Sequence, residues 1–145
     1  MHPYPHIYRT SATAGPDQAV RIDSPGLPGL ETTPPPEFGG PEGHWSPETL
    51  LVASVADCYI LTFRAIARAS KLEWLDLSCE ADGTLDRVDG VTKFTRFDLR
   101  ARLVLPAGSD TEKAEKILHK SESACLVTSS MSAEVHLETK IEVRG

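Results

Sequence analysis

The residues of this chain best suited to redox chemistry are its three cysteines, Cys58, Cys79 and Cys125. A thiolate can attack one oxygen of a peroxide and become a sulfenic acid, which a second thiol then traps as a disulfide. Cys58 lies inside a long apolar segment, and Cys125 follows a predicted helix, where the departing chain can expose a thiol. We therefore treat Cys58 and Cys125 as a candidate pair of reacting thiols.

A structural role is the alternative for each cysteine, because most buried cysteines are small core side chains. Cys79 shares the parity of Leu75 and Leu77 in an alternating run, which predicts an inward core position. An attacking cysteine needs more than a suitable position, since a thiol with an ordinary pKa of about 8.5 is mostly protonated at neutral pH. A thiol in the middle of a helix gains nothing from the N-terminal dipole, so we expect a neighbouring arginine that stays charged and donates to the peroxide oxygen.

The element that carries Cys58 is the segment SPETLLVASVADCYILTFRAIARAS, which predicts a helix from Pro47 to Ser70. Ser46 is a suitable N-cap, Pro47 suits the first helical position, and Glu48 lies in the first turn. The first four turns have almost no polar face. We therefore expect this helix to be buried on most sides, as a central helix or one shared with a partner subunit.

Shorter elements surround this helix. Residues 4–23 predict a hairpin around a Gly-Pro-Asp turn, and residues 24–47 are too rich in Pro and Gly for regular structure over most of their length. Two long alternating runs flank Asp89-Gly90, a hairpin signal. Residues 110–123 predict a second helix, and residues 133–143 a closing strand. The order predicts one α+β domain over residues 1–145 with mainly antiparallel sheet.

Composition narrows the classes of function. With a net charge of −6 and scattered Lys and Arg, the chain has no basic stripe for nucleic acid, and no apolar run approaches the ~20 residues that a membrane span needs. The start MHPYPHIYRT does not resemble a secretory signal. Neither the cysteines nor the five histidines have metal-ligand spacing, so we expect no metal and no cofactor. We expect a reducing cytoplasm.

Two motifs carry a family resemblance. The stretch GGPEGHWSPETLLVASVADCYILTF resembles the part of the OsmC/Ohr family in which a Gly-rich loop leads into a Pro-Glu pair and a central helix with the peroxidatic cysteine, and Glu48 and Cys58 stand at the family's ten-residue spacing. The stretch AEKILHKSESACLVTSS is similar to the second motif, a helix ending in the resolving cysteine. The resemblance covers nearly the whole chain.

This resemblance implies an OsmC-like fold, with mainly antiparallel sheets around a buried central helix, in an intertwined homodimer with sites at the subunit interface. It implies a peroxidase for organic hydroperoxides, in which the Cys58 thiolate attacks and Cys125 resolves. Glu48 would hold an arginine over the thiolate, and a dithiol such as a lipoylated protein would be the reductant. Ten residues of straight helix span about 15 Å, so Glu48 cannot touch Cys58 of its own unbroken helix. Either an arginine bridges the two, the helix bends, or the Glu48 near a given Cys58 belongs to the other subunit.

The chain departs from the family pattern at two positions. The N-terminal hairpin turn, where the family usually has its arginine, reads AGPDQ, so Arg21 on the following strand is the nearest substitute and Arg9 the next. Leu126 stands where the Ohr branch has a proline after the resolving cysteine. These departures indicate an outlying branch.

Three hypotheses follow. The first is a peroxidase that cycles through a Cys58–Cys125 disulfide, which the retention of both cysteines favours. The second is a non-catalytic small-molecule binding or redox-sensing protein of the same fold, which the missing hairpin arginine favours. The third is a purely structural role for both thiols, which predicts unreactive cysteines.

Overall fold

Every residue from 1 to 145 is described by the computed structural model. The chain divides into two units, residues 1–50 and 51–145, with the boundary inside the first long helix. Because one continuous helix crosses that boundary, the single domain over residues 1–145 stays our proposal. The sequence of strands and helices agrees with the predicted α+β class.

The first unit contains a small antiparallel sheet. The predicted hairpin is confirmed, since β1 (Ser11–Thr13) pairs with β2 (Val20–Asp23). A third strand, β3 (Leu30–Thr32), pairs with β2, and a short 3-10 helix spans Pro36–Phe38. Both lie in the segment predicted to be mostly irregular. They are only three residues long, so the surrounding Pro and Gly residues hide them in the sequence.

The first helix, α1 (Pro47–Ala69), begins at the predicted residue and ends one residue before the predicted end. Its N-terminus is capped as expected, because the Thr49 N–H donates to Ser46 Oγ at 3.1 Å. At the other end, Lys71 adopts a left-handed φ of 57°, and the Leu72 N–H donates to the Ala67 carbonyl at 2.9 Å. This reversal ends the helix as a C-terminal glycine usually does.

Only one stripe of α1 is fully buried within the single chain, and burial of its other sides against a partner subunit stays a prediction. The stripe follows a four-residue repeat, Val55, Tyr59, Phe63 and Ala67. Other apolar side chains stay partly exposed, and Leu61 exposes 49% of its surface. By length and composition α1 could cross a membrane, a property that it shares with core helices of soluble proteins. The buried stripe belongs to the core of the second unit.

The second unit contains a three-stranded sheet in the order β4-β5-β6. β4 (Asp76–Val88) and β5 (Val91–Pro106) form the predicted hairpin, with positive φ at both turn residues, Asp89 and Gly90. β6 (Glu134–Arg144) pairs with β5 in parallel, so the sheet is mixed. Parallel pairing requires a crossover connection, and this crossover carries the second candidate thiol.

The crossover consists of α2 (Thr111–Ala124) and a short helix, α3 (Leu126–Ser129), which the sequence did not predict. Asp110 caps α2 by accepting a hydrogen bond from the Lys113 N–H at 3.0 Å. The core of this unit combines the α1 stripe with inward residues of β4, β5 and α2, namely Leu77, Phe97, Leu99, Ala101, Leu103, Leu105, Ala114, Ile117 and Leu118.

Candidate active site

Cys58 lies at the middle of α1, directly before the buried Tyr59. The Tyr59 hydroxyl donates to the Leu118 carbonyl at 2.9 Å, a buried bond that links α1 to α2. Such a bond contributes about 1 kcal/mol and fixes the two helices relative to one another. The Cys58 thiol is half-buried as a result, close to the segment that follows α2.

Cys125 occupies the junction between α2 and α3, where it ends one helix and caps the next. Its backbone is extended, with φ −64° and ψ 115°, and it exposes only 2% of its surface. Its carbonyl accepts from the Ser129 N–H at 3.0 Å and from the Thr128 hydroxyl at 3.2 Å. The thiol is therefore held at a fixed and nearly dry position.

The two thiols meet, although 67 positions separate them along the chain. Burial raises the pKa of the Cys125 thiol, and its hydrogen bond to Cys58 raises that pKa further. The same bond lowers the pKa of Cys58. Cys58 is therefore the more acidic thiol of the pair.

The remaining groups around Cys58 are neutral donors. Burial alone would raise the pKa of Cys58, but hydrogen bonds from the backbone of Val127 and Leu126 and from the side chains of Cys125 and Thr62 lower it. The Thr62 hydroxyl lies 3.8 Å from the Cys58 sulfur. The sequence pattern could have identified Thr62, which is four residues further along α1, but no pattern marks a backbone amide.

Cys79 lies on β4 and packs against the core, as its parity predicted. Burial raises the pKa of this thiol to about 11, although the nearby Arg100 lowers it in part. A negative charge on Cys125 would also raise the pKa of Cys79. Cys79 is thus protonated at neutral pH.

The first unit contains Glu48, Arg21 and Arg9. No hydrogen bond or salt bridge joins Glu48 to either arginine. Arg21 lies on β2, where its Nε donates to Asp23 Oδ1 at 3.2 Å and its side chain is 54% exposed. Arg9 precedes β1, and its carbonyl accepts from the Ser24 hydroxyl at 2.9 Å. Glu48 lies in the first turn of α1, and its Oε1 is buried with no hydrogen-bond partner.

No group of three or more His, Cys, Asp or Glu side chains is arranged to hold a metal ion. A groove of about 400 Å³ on the outer face of the second sheet is lined by charged residues of all three strands. Its arginines are already engaged, because Arg96 pairs with Asp98 at 2.7 Å and Arg100 pairs with Asp82 at 2.8 Å. The thiol pair is therefore the chemically distinctive site.

The structure is an α+β fold with one thiol on a long helix and a second thiol at a helix junction. The chain belongs to the OsmC-like protein family, whose model matches residues 39–140. Both cysteines of the pair lie within that range.

Three known proteins are similar to this chain, two in sequence and one in structure. The chain is 30% identical over 113 residues to the uncharacterized protein YmaD of Bacillus subtilis, covering 76% of this chain and 75% of YmaD. It is 26% identical over 105 residues to peroxiredoxin OsmC of Escherichia coli, covering 72% of each. Among solved structures, an OsmC-like protein of unknown function from Vibrio cholerae superposes with a TM-score of 0.85 at 21% identity, covering 93% of this chain and 99% of the other. This likeness shows the fold.

Proposed function

We propose that this protein is a thiol peroxidase that reduces organic hydroperoxides. The observation that carries the proposal is the contact between Cys58 and Cys125, in which the pKa of one thiol is lowered and that of the other is raised. An attacking thiol must be ionised, whereas a resolving thiol can wait in its protonated form. Membership of the family that includes peroxiredoxin OsmC of Escherichia coli supports the same activity.

The proposed reaction has two steps in the protein and one with a reductant. The Cys58 thiolate attacks one oxygen of the hydroperoxide, the O–O bond breaks, and the leaving alkoxide takes a proton to become an alcohol. Cys58 is now a sulfenic acid, and Cys125 displaces its hydroxyl as water to form a disulfide. An external dithiol, such as a lipoylated protein, then exchanges with the disulfide and restores both thiols.

An organic peroxide is the expected substrate because exposed apolar residues are close in sequence to both cysteines of the pair. Leu61 lies one turn beyond Cys58 on α1 and is half-exposed. Leu126 follows the resolving cysteine directly and exposes 70% of its surface. Apolar groups of this kind favour the organic part of a hydroperoxide over water.

A homodimer is part of this proposal. The partly exposed apolar side chains of α1 are the surface that a second copy would cover, and a helix with apolar residues on most sides favours such burial. In the same arrangement Glu48 would hold an arginine near Cys58, with Arg21 as the first candidate and Arg9 as the second. The buried, unpartnered Glu48 oxygen supports this role, because a buried carboxylate oxygen normally accepts a hydrogen bond.

The proposal is tested by counting free thiols before and after one equivalent of cumene hydroperoxide. The wild type should lose two of its three thiols, Cys58→Ser none and Cys125→Ser one. Cys79→Ser is the matched control and should still lose two. If the wild type keeps all its thiols, or if Cys58→Ser loses as many as the wild type, the peroxidase proposal is wrong. Retained thiols would favour a binding protein of the same fold.

A further inference from the structure

The two sulfurs of the pair differ in how far solvent reaches them. Cys125 is buried, with 2% of its surface exposed, whereas Cys58 is only partly buried. The neighbours of Cys58 on α1 are open to solvent, since Asp57 is exposed and Leu61 exposes 49% of its surface. The opening through which a peroxide reaches Cys58 can also admit an external thiol. Cys125 has almost no surface that a reagent could reach.

The backbone of Cys125 is held by four hydrogen bonds. Its carbonyl accepts from the Ser129 N–H at 3.0 Å, the Ser129 hydroxyl at 2.8 Å and the Thr128 hydroxyl at 3.2 Å. The Cys125 N–H donates to the Glu122 carbonyl at 3.3 Å. A helix needs only the bond from the backbone N–H to that carbonyl. The two hydroxyls, which we call the hydroxyl clamp, are therefore additional ties on this one residue.

We propose that Thr128 and Ser129 are positioning residues whose hydroxyl clamp keeps Cys125 buried throughout the cycle, so that external thiols exchange only at Cys58. The inference rests on the proposed peroxidase and deepens it, by naming the sulfur at which the reductant acts. To expose the Cys125 sulfur, the chain would have to give up several of these hydrogen bonds together. Such an opening is therefore rare.

Thiol chemistry by itself favours exchange at the other sulfur. The more acidic thiol leaves most readily, and in this pair the departure of Cys58 would require attack on Cys125. An attacking thiolate must, however, approach its target in line with the S–S bond. Around Cys125 that approach leads through buried protein, so access decides in favour of Cys58.

The reduction then has two balanced steps. The first thiolate of the external dithiol forms a bond to the Cys58 sulfur, the bond between Cys58 and Cys125 breaks, and Cys125 takes up a proton. The second thiol of the reductant loses its proton, attacks its own partner sulfur in the mixed disulfide and releases Cys58 as a thiolate. Cys125 remains next to the mixed disulfide and can expel the reductant again. A dithiol competes with this reclosure better than a monothiol does, because its second thiol is tethered.

The test locates the mixed disulfide. The disulfide form, prepared with diamide, is mixed with 2-mercaptoethanol, quenched with N-ethylmaleimide in urea and digested with trypsin. The three cysteines fall in separate tryptic peptides, so mass spectrometry shows which one carries the mercaptoethanol adduct. We expect at least about tenfold more adduct on Cys58 than on Cys125. Equal amounts, a preference for Cys125, or no adduct on either cysteine would overturn the proposal. A protein in which diamide forms no disulfide would contradict the proposed peroxidase as well.

Variants of the hydroxyl clamp connect this result to its cause. Ser129→Ala should raise the share of adduct on Cys125 about threefold, and Ser129→Thr, which keeps a hydroxyl, should restore the wild-type share. Thr128→Val is the less specific variant, because the Thr128 hydroxyl also lowers the pKa of Cys125. Ser130→Ala is the matched control, since the Ser130 hydroxyl donates to the Leu126 carbonyl at 2.8 Å. An equal shift in Ser129→Ala and Ser130→Ala would contradict a specific role of the hydroxyl clamp.

A second measurement uses only the wild type. Hydrogen exchange in the segment 121–131 should be as slow in the disulfide form as in the reduced form, because the hydroxyl clamp persists in both. Exchange more than about tenfold faster in the disulfide form would mean that oxidation opens the hydroxyl clamp. That outcome would overturn the inference while leaving the disulfide, and with it the proposed peroxidase, intact.

Discussion

Cys58 and Cys79 are both partly buried thiols of the second unit, yet the pKa of Cys58 is lowered and that of Cys79 is raised. Burial raises the pKa of Cys79 to about 11 even though a guanidinium, that of Arg100, is near. Cys58 has no such neighbour among its hydrogen-bond partners, and its pKa is lowered. Arg100 is exposed and already paired with Glu80 and Asp82. Burial dominates the pKa of Cys79, where Arg100 offsets it only in part, whereas at Cys58 direct hydrogen bonds to the sulfur outweigh a smaller burial effect.

The largest expected consequence is a difference in reactivity. The pKa of Cys79 is about 11 and that of Cys58 lies below its ordinary value, so at pH 7 Cys58 should react with iodoacetamide at least about tenfold faster than Cys79. Peptide mass spectrometry after a short pulse of reagent measures both rates in one sample. Comparable labelling of the two cysteines would mean that their pKa values do not differ in this way.

The raised pKa of Cys79 also predicts a loss of stability in alkaline solution. Between pH 9 and 11 the thiol ionises in the unfolded chain but stays protonated in the folded one, so unfolding becomes more favourable as pH rises. We expect this to remove about 1 kcal/mol, after allowing for the partial exposure of the side chain. Urea titrations at pH 8 and pH 11 should show a smaller pH effect in Cys79→Ala than in the wild type. An equal effect in both would place the cause elsewhere, for example at Tyr59, whose pKa burial also raises.

Removing the thiol donor at residue 125 should raise the pKa of Cys58 and so bring it nearer to that of Cys79. Cys125→Ala deletes the S–H that lowers the pKa of Cys58, and alkylation of Cys58 at pH 7 should slow about fivefold. Cys125→Ser is the matched control, because its hydroxyl can still donate and the rate should stay closer to that of the wild type. A rate in Cys125→Ala as high as in Cys125→Ser would mean that the side-chain donor has no part in the acidity of Cys58.

Thr62 should give the smallest effect. Its hydroxyl is 3.8 Å from the Cys58 sulfur, a long contact, and Thr62→Val replaces it with a side chain of similar shape. We expect the alkylation of Cys58 to slow about twofold. Ser54→Ala is a useful control, since the Ser54 hydroxyl donates to the Leu51 carbonyl instead. A larger loss in Thr62→Val than in Cys125→Ala would reverse the order of the donors.

Much of the fold was predictable because local signals agree with the final structure. Ser46 and Pro47 mark the start of α1, and Asp89-Gly90 marks the hairpin of the second sheet. The direction of β6 was not predictable, because an alternating pattern is the same for parallel and antiparallel pairing. α3 was missed because four residues are too few to have a periodicity.

The site was predictable only at the level of its cysteines. Sequence spacing and family resemblance selected Cys58 and Cys125, and the structure brings them together. In the single chain neutral donors lower the pKa of Cys58, and the expected arginine stays part of the proposed dimer. Every residue except proline has an N–H, so the sequence could not indicate which backbone groups lower the pKa of Cys58.

The junction at Cys125 has a consequence for how such a protein can evolve. Its extended backbone accepts either an amide-bearing residue or a proline at the next position, with no change in the path of the chain. A substitution at that exposed position, Leu126, can change the surface beside the thiol pair while the core contacts persist. Selection can therefore adjust the chemistry of this fold and its stability as nearly separate traits.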